Sequence, residues 1–140
     1  RTAPKIRPPE IEWYIGTVEQ YLENLDPSVS FNLIFMRNLI QFLDREWVVF
    51  TLLPTLKNHL APKGTIAIRT FFREPDPPFQ KPCKSLYTPE YLLSLFADFT
   101  VSYKRQFSRR GPDLIGVIRN FYLTDLIVSH VPNRNVILQP

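Results

Sequence analysis

"FNLIFMRNLIQFLD", residues 31–44, opens as an apolar run and changes character at Arg37-Asn38. From Val29 to Met36 the one strongly polar residue is Asn32, the pattern of a strand covered on both faces. From Asp44 the apolar spacing lengthens. Val49, Leu53, Leu56 and Leu60 recur at helical intervals, so a helix over residues 44–60 packs one stripe against a sheet. Pro54 lies inside it without an N–H to donate, and should kink or divide it. An arginine and an asparagine therefore stand where a buried strand gives way to a helix. In an α/β sheet that strand end is the edge where ligands bind.

Working outward toward the C-terminus, Ala61-Pro62-Lys63-Gly64 reads as a turn and residues 65–72 as a second apolar strand. "REPDPPFQKPCK", residues 73–84, has four prolines and no periodicity, so it is an irregular loop beyond that strand's C-terminal end. Thr88-Pro89-Glu90 starts a helix by residue type: a hydroxyl cap, a proline at the first helical position and an acid in the first turn. It should run to about Ala97 and bury Tyr91 or Leu92, Leu95 and Phe96. Residues 99–107 alternate, with Val101, Tyr103 and Phe107 on one face. Arg109-Arg110-Gly111-Pro112-Asp113 has turn composition, and residues 114–127 are strand-rich. So short a return excludes a helical crossover and makes the last two strands antiparallel neighbours.

Upstream, residues 1–10 hold three prolines and form an exposed lead-in. Residues 11–15 alternate as a short strand closed by Gly16, and Thr17 can cap a helix over Val18 to Leu25 with Glu19 in its first turn. The whole order predicts an α/β domain over residues 11–129, its sheet mostly parallel with a C-terminal antiparallel hairpin, and a tail over residues 130–140.

Composition limits the classes of function. With 44% hydrophobic residues in 140, the chain can build a core and is not a disordered segment. Its 17 basic residues against 13 acidic are spread along the chain, so nucleic-acid binding is not required. No apolar run reaches about 18 residues, so no helical membrane span is expected. One cysteine, Cys83, cannot form an internal disulfide, and no leader pattern opens the sequence, so the expected location is cytoplasmic. Two distant histidines and one cysteine do not make a zinc site, and no metal is expected.

Four segments now carry a likeness. "FNLIFMRNLIQFLD" followed by "LLPTLKNHLAPKGTIAIRTF" resembles the fourth strand, fourth helix and fifth strand of class I S-adenosylmethionine-dependent methyltransferases. The Arg-Asn pair is locally similar to the strand-Arg-Asn-helix segment of the chemotaxis protein-glutamate methyltransferases. "IEWYIGTVEQYL" resembles the third strand and the adenine-holding loop after it, and "LYTPEYLLSLFADFTVSYKRQF" the helix before strand six with that strand. The resemblance implies a partial Rossmann-like sheet, S-adenosylmethionine as cofactor, and a chain supplying the rear of the cofactor pocket with a substrate loop at residues 73–87. The glycine-rich loop and the ribose-binding acid of that family have no counterpart here: the four glycines form no GxG. A missing N-terminal segment or a partner chain is expected to supply them.

The same resemblance implies site residues. Thr17 and Val18 fall on the adenine-loop positions, although Thr17 replaces the usual acid and serves equally as a plain helix cap. Met36, Arg37 and Asn38 fall on the strand end that faces the methyl donor. Asn38 can hold cofactor or substrate through its amide, and Arg37 can grip a carboxylate; otherwise Asn38 caps the next helix and Arg37 pairs at the surface. Arg69 and Tyr87 fall on the substrate side, with Arg69 also placed as a residue of a solvated strand end. The acceptor is a small molecule or a protein. Two further readings use the same residues: a catalytically inactive methyltransferase-like interaction module, and a basic binding module built on Lys104, Arg105, Arg109 and Arg110.

Overall fold

A computed structural model describes residues 10–130; the lead-in up to residue 9 and the tail beyond residue 130 lie outside the described residues. Helix α1 (Val18–Glu23) precedes strand β1 (Phe31–Arg37) and a 3-10 turn (Ile40–Phe42). A helical segment follows in three parts: α2 (Arg45–Trp47), a π turn (Val48–Leu52) and α3 (Leu53–Asn58). Strand β2 (Leu60–Asp76), helix α4 (Pro89–Ser94) and strands β3 (Thr100–Pro112) and β4 (Ile118–Ser129) complete the order.

The strands form one sheet in the order β1-β2-β4-β3, with β1 parallel to β2 and β4 antiparallel to both its neighbours. The sheet is therefore mixed. Among the described residues parallel pairing is confined to β1 and β2, which corrects the mostly parallel expectation, while the antiparallel final hairpin is as expected. Its turn lies later than composition suggested. Arg109, Arg110, Gly111 and Pro112 continue the ladder opposite Phe121, Asn120, Arg119 and Ile118, and the chain reverses over residues 113–117. Pro112, which cannot donate to a ladder, is tolerated at the end of an edge strand. The Asp113 carboxylate accepts from the backbone N–H of Ile115 and Val117, both at 2.9 Å, and Gly116 supplies a φ of +87°.

The strand expected over residues 11–15 does not form. Ile11, Trp13 and Ile15 are 72%, 86% and 99% exposed, and the segment has no neighbouring strand among the described residues. Alternation alone cannot hold a strand whose ladder is unpaired. Pro54 acts on the helix as expected, but through its preceding turn. The N–H of Leu53 reaches back five residues to Val48, so the π turn absorbs the proline's missing donor without breaking the segment. That longer turn moves the buried stripe to Val48, Leu52, Leu53 and Leu56, leaving Val49 half-buried.

These leucines pack with Met36, Ile66, Ile68, Leu126 and Val128 from one face of the sheet, and with Leu92 and Phe96 around α4. Thr88 caps α4 by accepting from the Tyr91 N–H at 3.1 Å. Burial of each large side chain contributes on the order of 1.5–3 kcal/mol, so this face holds most of the fold's hydrophobic stabilisation. The opposite face is half-covered. Phe71, Phe121 and Leu123 form a second cluster there under Phe79 from the loop after β2. Leu33 and Phe35 on β1, at 61% and 63% exposed, carry no cover.

Candidate functional site

Arg37 ends β1 directly beside Arg69, its partner in the parallel ladder. Asn38 follows in the left-handed region, with φ of +55°, and its backbone N–H donates to the Arg69 carbonyl at 2.8 Å. Asparagine is among the few side chains that adopt this conformation at modest cost, so the sequence turns the chain off the sheet here without a glycine. Asn38 does not cap the 3-10 turn that follows: Leu39 occupies that position and forms no side-chain cap.

Arg37, Asn38 and Arg69 line one cavity of about 630 Å³ at the C-terminal edge of the parallel pair. Its floor is the second apolar cluster, Phe71, Phe121 and Leu123. Phe79 packs onto Phe71 and Phe121 at ring separations of 6.0 and 6.3 Å, and onto Phe42 at 6.0 Å. The β3–β4 hairpin closes the far side with Arg109, Leu114 and Ile115.

Three ion pairs on two carboxylates fix these walls. Arg69 meets Asp125 through two parallel hydrogen bonds, Nε to Oδ1 at 2.7 Å and an Nη to Oδ2 at 2.9 Å. Arg105 adds a third at 3.2 Å and lays its guanidinium over Phe107 at 3.7 Å. Burial acts to raise the Asp125 carboxyl, but the hydrogen bonds and charges of Arg69 and Arg105 together outweigh it and hold it below the ordinary carboxylate value. Arg119, only 8% exposed, donates to Asp113 at 2.8 Å and to the carbonyls of Pro77 and Pro78 at 2.7 and 2.9 Å. One guanidinium thus ties the hairpin turn to the loop after β2.

The other expected site residues lie elsewhere. Thr17 is engaged in a capping box, its hydroxyl accepting from the Gln20 N–H and the Gln20 side chain accepting from the Thr17 N–H, both at 3.1 Å. Val18 packs against the main core. Met36 is buried on the helix-covered face, one residue out of phase with the cavity. Tyr87 is wholly buried; the Ser85 hydroxyl donates to its Oη at 3.1 Å, and burial pushes its phenol up. Cys83 has its thiol pushed up to about 12, by burial and by the neighbouring Glu74 charge. That makes it a poor nucleophile at neutral pH. The described residues hold no cluster of metal-ligating side chains, and no described helix is long and apolar enough to cross a membrane.

Sequence reading missed Asp125, Arg119 and the phenylalanine floor. A signal existed. At period two, Arg119, Phe121, Leu123, Asp125 and Ile127 share one face of β4, an apolar row interrupted by two charges.

No protein-family model matches the chain, and no curated protein matches it. Among solved structures, TehB from Haemophilus influenzae, a SAM-dependent methyltransferase, matches with a TM-score of 0.59 at 16% sequence identity. The match covers 73% of this chain and 36% of TehB, so the chain spans about a third of that protein's length. At this identity the likeness is one of fold, and the described sheet with its helices resembles part of a methyltransferase fold.

Proposed function

We propose that the chain serves S-adenosylmethionine-dependent methyl transfer, forming the rear wall of the donor pocket and the acceptor side of the site. The observation that carries this is the polar pair Arg37-Asn38 at the C-terminal end of a parallel strand, in a sheet whose likeness to TehB covers 73% of the chain. The cofactor supplies a methyl group on a sulfonium, a reaction that needs alignment and exclusion of water more than a general base. The chain's own residues suit that task in part. Asn38 offers an amide at the strand edge, Phe71, Phe79 and Phe121 make a dry floor, and the loop after β2 is held in place by Arg119.

The described residues fit one wall of a cofactor site only. The carboxylate lining the cavity, Asp113, is engaged by Arg119, and four guanidiniums surround the same space. Such a charge set disfavours a sulfonium inside the cavity. The donor's place on this reading is beside Asn38, outside the cavity, with its remaining walls supplied by residues outside this chain or by a partner chain. Arg69 then belongs to the acceptor side.

Calorimetric titration of S-adenosylhomocysteine into the natural full-length protein tests this reading. Binding that weakens in Asn38→Ala supports it. Failure to bind overturns it and favours the alternative of a catalytically inactive interaction module, which the bare Leu33 and Phe35 on β1 would serve as a docking face.

A further inference from the structure

The cavity's charges do not balance. Of its four arginines, Arg69 is matched by Asp125 and Arg119 by Asp113, whereas Arg37 and Arg109 have no carboxylate within salt-bridge distance among the described residues. Both are exposed at its rim, while the floor beneath them is aromatic and closed: Phe71, Phe121 and Leu123 are 3%, 7% and 3% exposed. A volume of about 630 Å³ admits a small organic molecule. The two features select different parts of one ligand. A ring is accepted by a floor of phenylalanines, and a carboxylate by guanidiniums that lack an internal counter-ion.

We propose that this cavity is a binding site for a small aromatic carboxylate, its ring on the Phe71, Phe79 and Phe121 floor and its carboxylate between Arg37 and Arg109. Solvated rim arginines also attract polyanions, but a phosphate backbone would use the basic outer edge of β3 and leave the apolar floor empty. An aromatic acid uses both. As the acceptor site this inference rests on the methyl-transfer reading; as a binding site it stands without it.

The test is a calorimetric titration of 2-naphthoate into the natural full-length protein with no cofactor present, set against uncharged 2-naphthalenemethanol. A hydrogen-bonded ion pair at a partly dry site is worth about a tenfold change in affinity, so Arg37→Ala and Arg109→Ala should each weaken naphthoate about tenfold. The alcohol, which offers neither arginine a carboxylate, should bind about a hundredfold more weakly than the acid and be indifferent to both variants. Phe79→Ala should weaken acid and alcohol alike. Both arginines are exposed, and unchanged thermal midpoints in their variants separate lost binding from lost folding. Equal affinity for acid and alcohol, no effect of either arginine variant, absence of naphthoate binding, or displacement of the acid by a single-stranded oligonucleotide would each overturn the proposal. Naphthoate binding without S-adenosylhomocysteine binding would remove the methyl-transfer reading alone; the reverse would remove this one alone.

Discussion

Asn38 offers a way to separate architecture from chemistry at a single position. Its φ of +55° demands the left-handed conformation, and its N–H to the Arg69 carbonyl at 2.8 Å closes the corner where β1 leaves the sheet. Alanine in that conformation costs on the order of 1 kcal/mol more than glycine, which has no Cβ to crowd the neighbouring carbonyl, and more than asparagine, whose short polar side chain offsets the same crowding through the local backbone. The backbone hydrogen bond survives either substitution. Asn38→Ala should therefore lower the thermal midpoint by roughly 3 °C in a domain of this size, while Asn38→Gly stays within about 1–2 °C of the parent. Binding of S-adenosylhomocysteine should follow a different order. Both variants lack the amide, so both should lose affinity to the same degree. Differential scanning calorimetry gives the first comparison and titration the second. Equal destabilisation by alanine and glycine would refute the conformational argument, and retained binding in Asn38→Gly would refute the role of the amide.

Other consequences follow from the ion pairs and the thiol. Arg119→Met should destabilise the protein and leave residues 77–86 open to proteolysis, because it strips Asp113 of its counter-ion and leaves the Pro77 and Pro78 carbonyls without their donor; urea unfolding and limited digestion measure both. Asp125 and Asp113 are held below their ordinary values, so the stability they contribute is complete above the unfolded carboxylate value near pH 4 and is lost as pH falls through the lower folded values. Asp125→Asn should flatten that acid limb in urea titrations at successive pH values, whereas an unchanged slope would contradict the pairing. Cys83 should react with iodoacetamide far more slowly than an ordinary thiol, and its rate should climb about tenfold per pH unit from about pH 7 to 10 without levelling off, because only the small thiolate fraction reacts; a plateau near pH 9 would contradict the burial of the thiol.

What the sequence made legible is what local chemistry decides. Thr17 and Thr88 cap helices where hydroxyl, acid and proline spacing place them. The β1 run, the helical leucines and the final antiparallel hairpin follow from period and loop length. Pairing decided the rest. Residues 11–15 alternate like a strand, yet have no ladder to join, and residues 109–112 look like a turn but are held straight by twelve-residue β4 beside them. The cavity was half legible: Arg37, Asn38 and Arg69 sit together because β1 ends in parallel register with Arg69 of the longer β2, a relation visible once those strands are paired. Met36 and Tyr87 look equally placed by number, but side-chain phase and a buried hydroxyl pair turn them into the core. Asp125, Arg119 and the phenylalanine floor come from β4 and the loop after β2, which meet only through long-range pairing.

On the proposed reading the C-terminal edge of β1 meets a methyl donor. The most direct measurement is a titration of S-adenosylmethionine into uniformly ¹⁵N-labelled full-length protein, followed by amide shifts. Within this chain the largest changes should fall on Arg37, Asn38 and Leu39, with the outer β3 residues Ser102 to Arg105 unmoved. An absence of shifts, or shifts confined to β3, would contradict it.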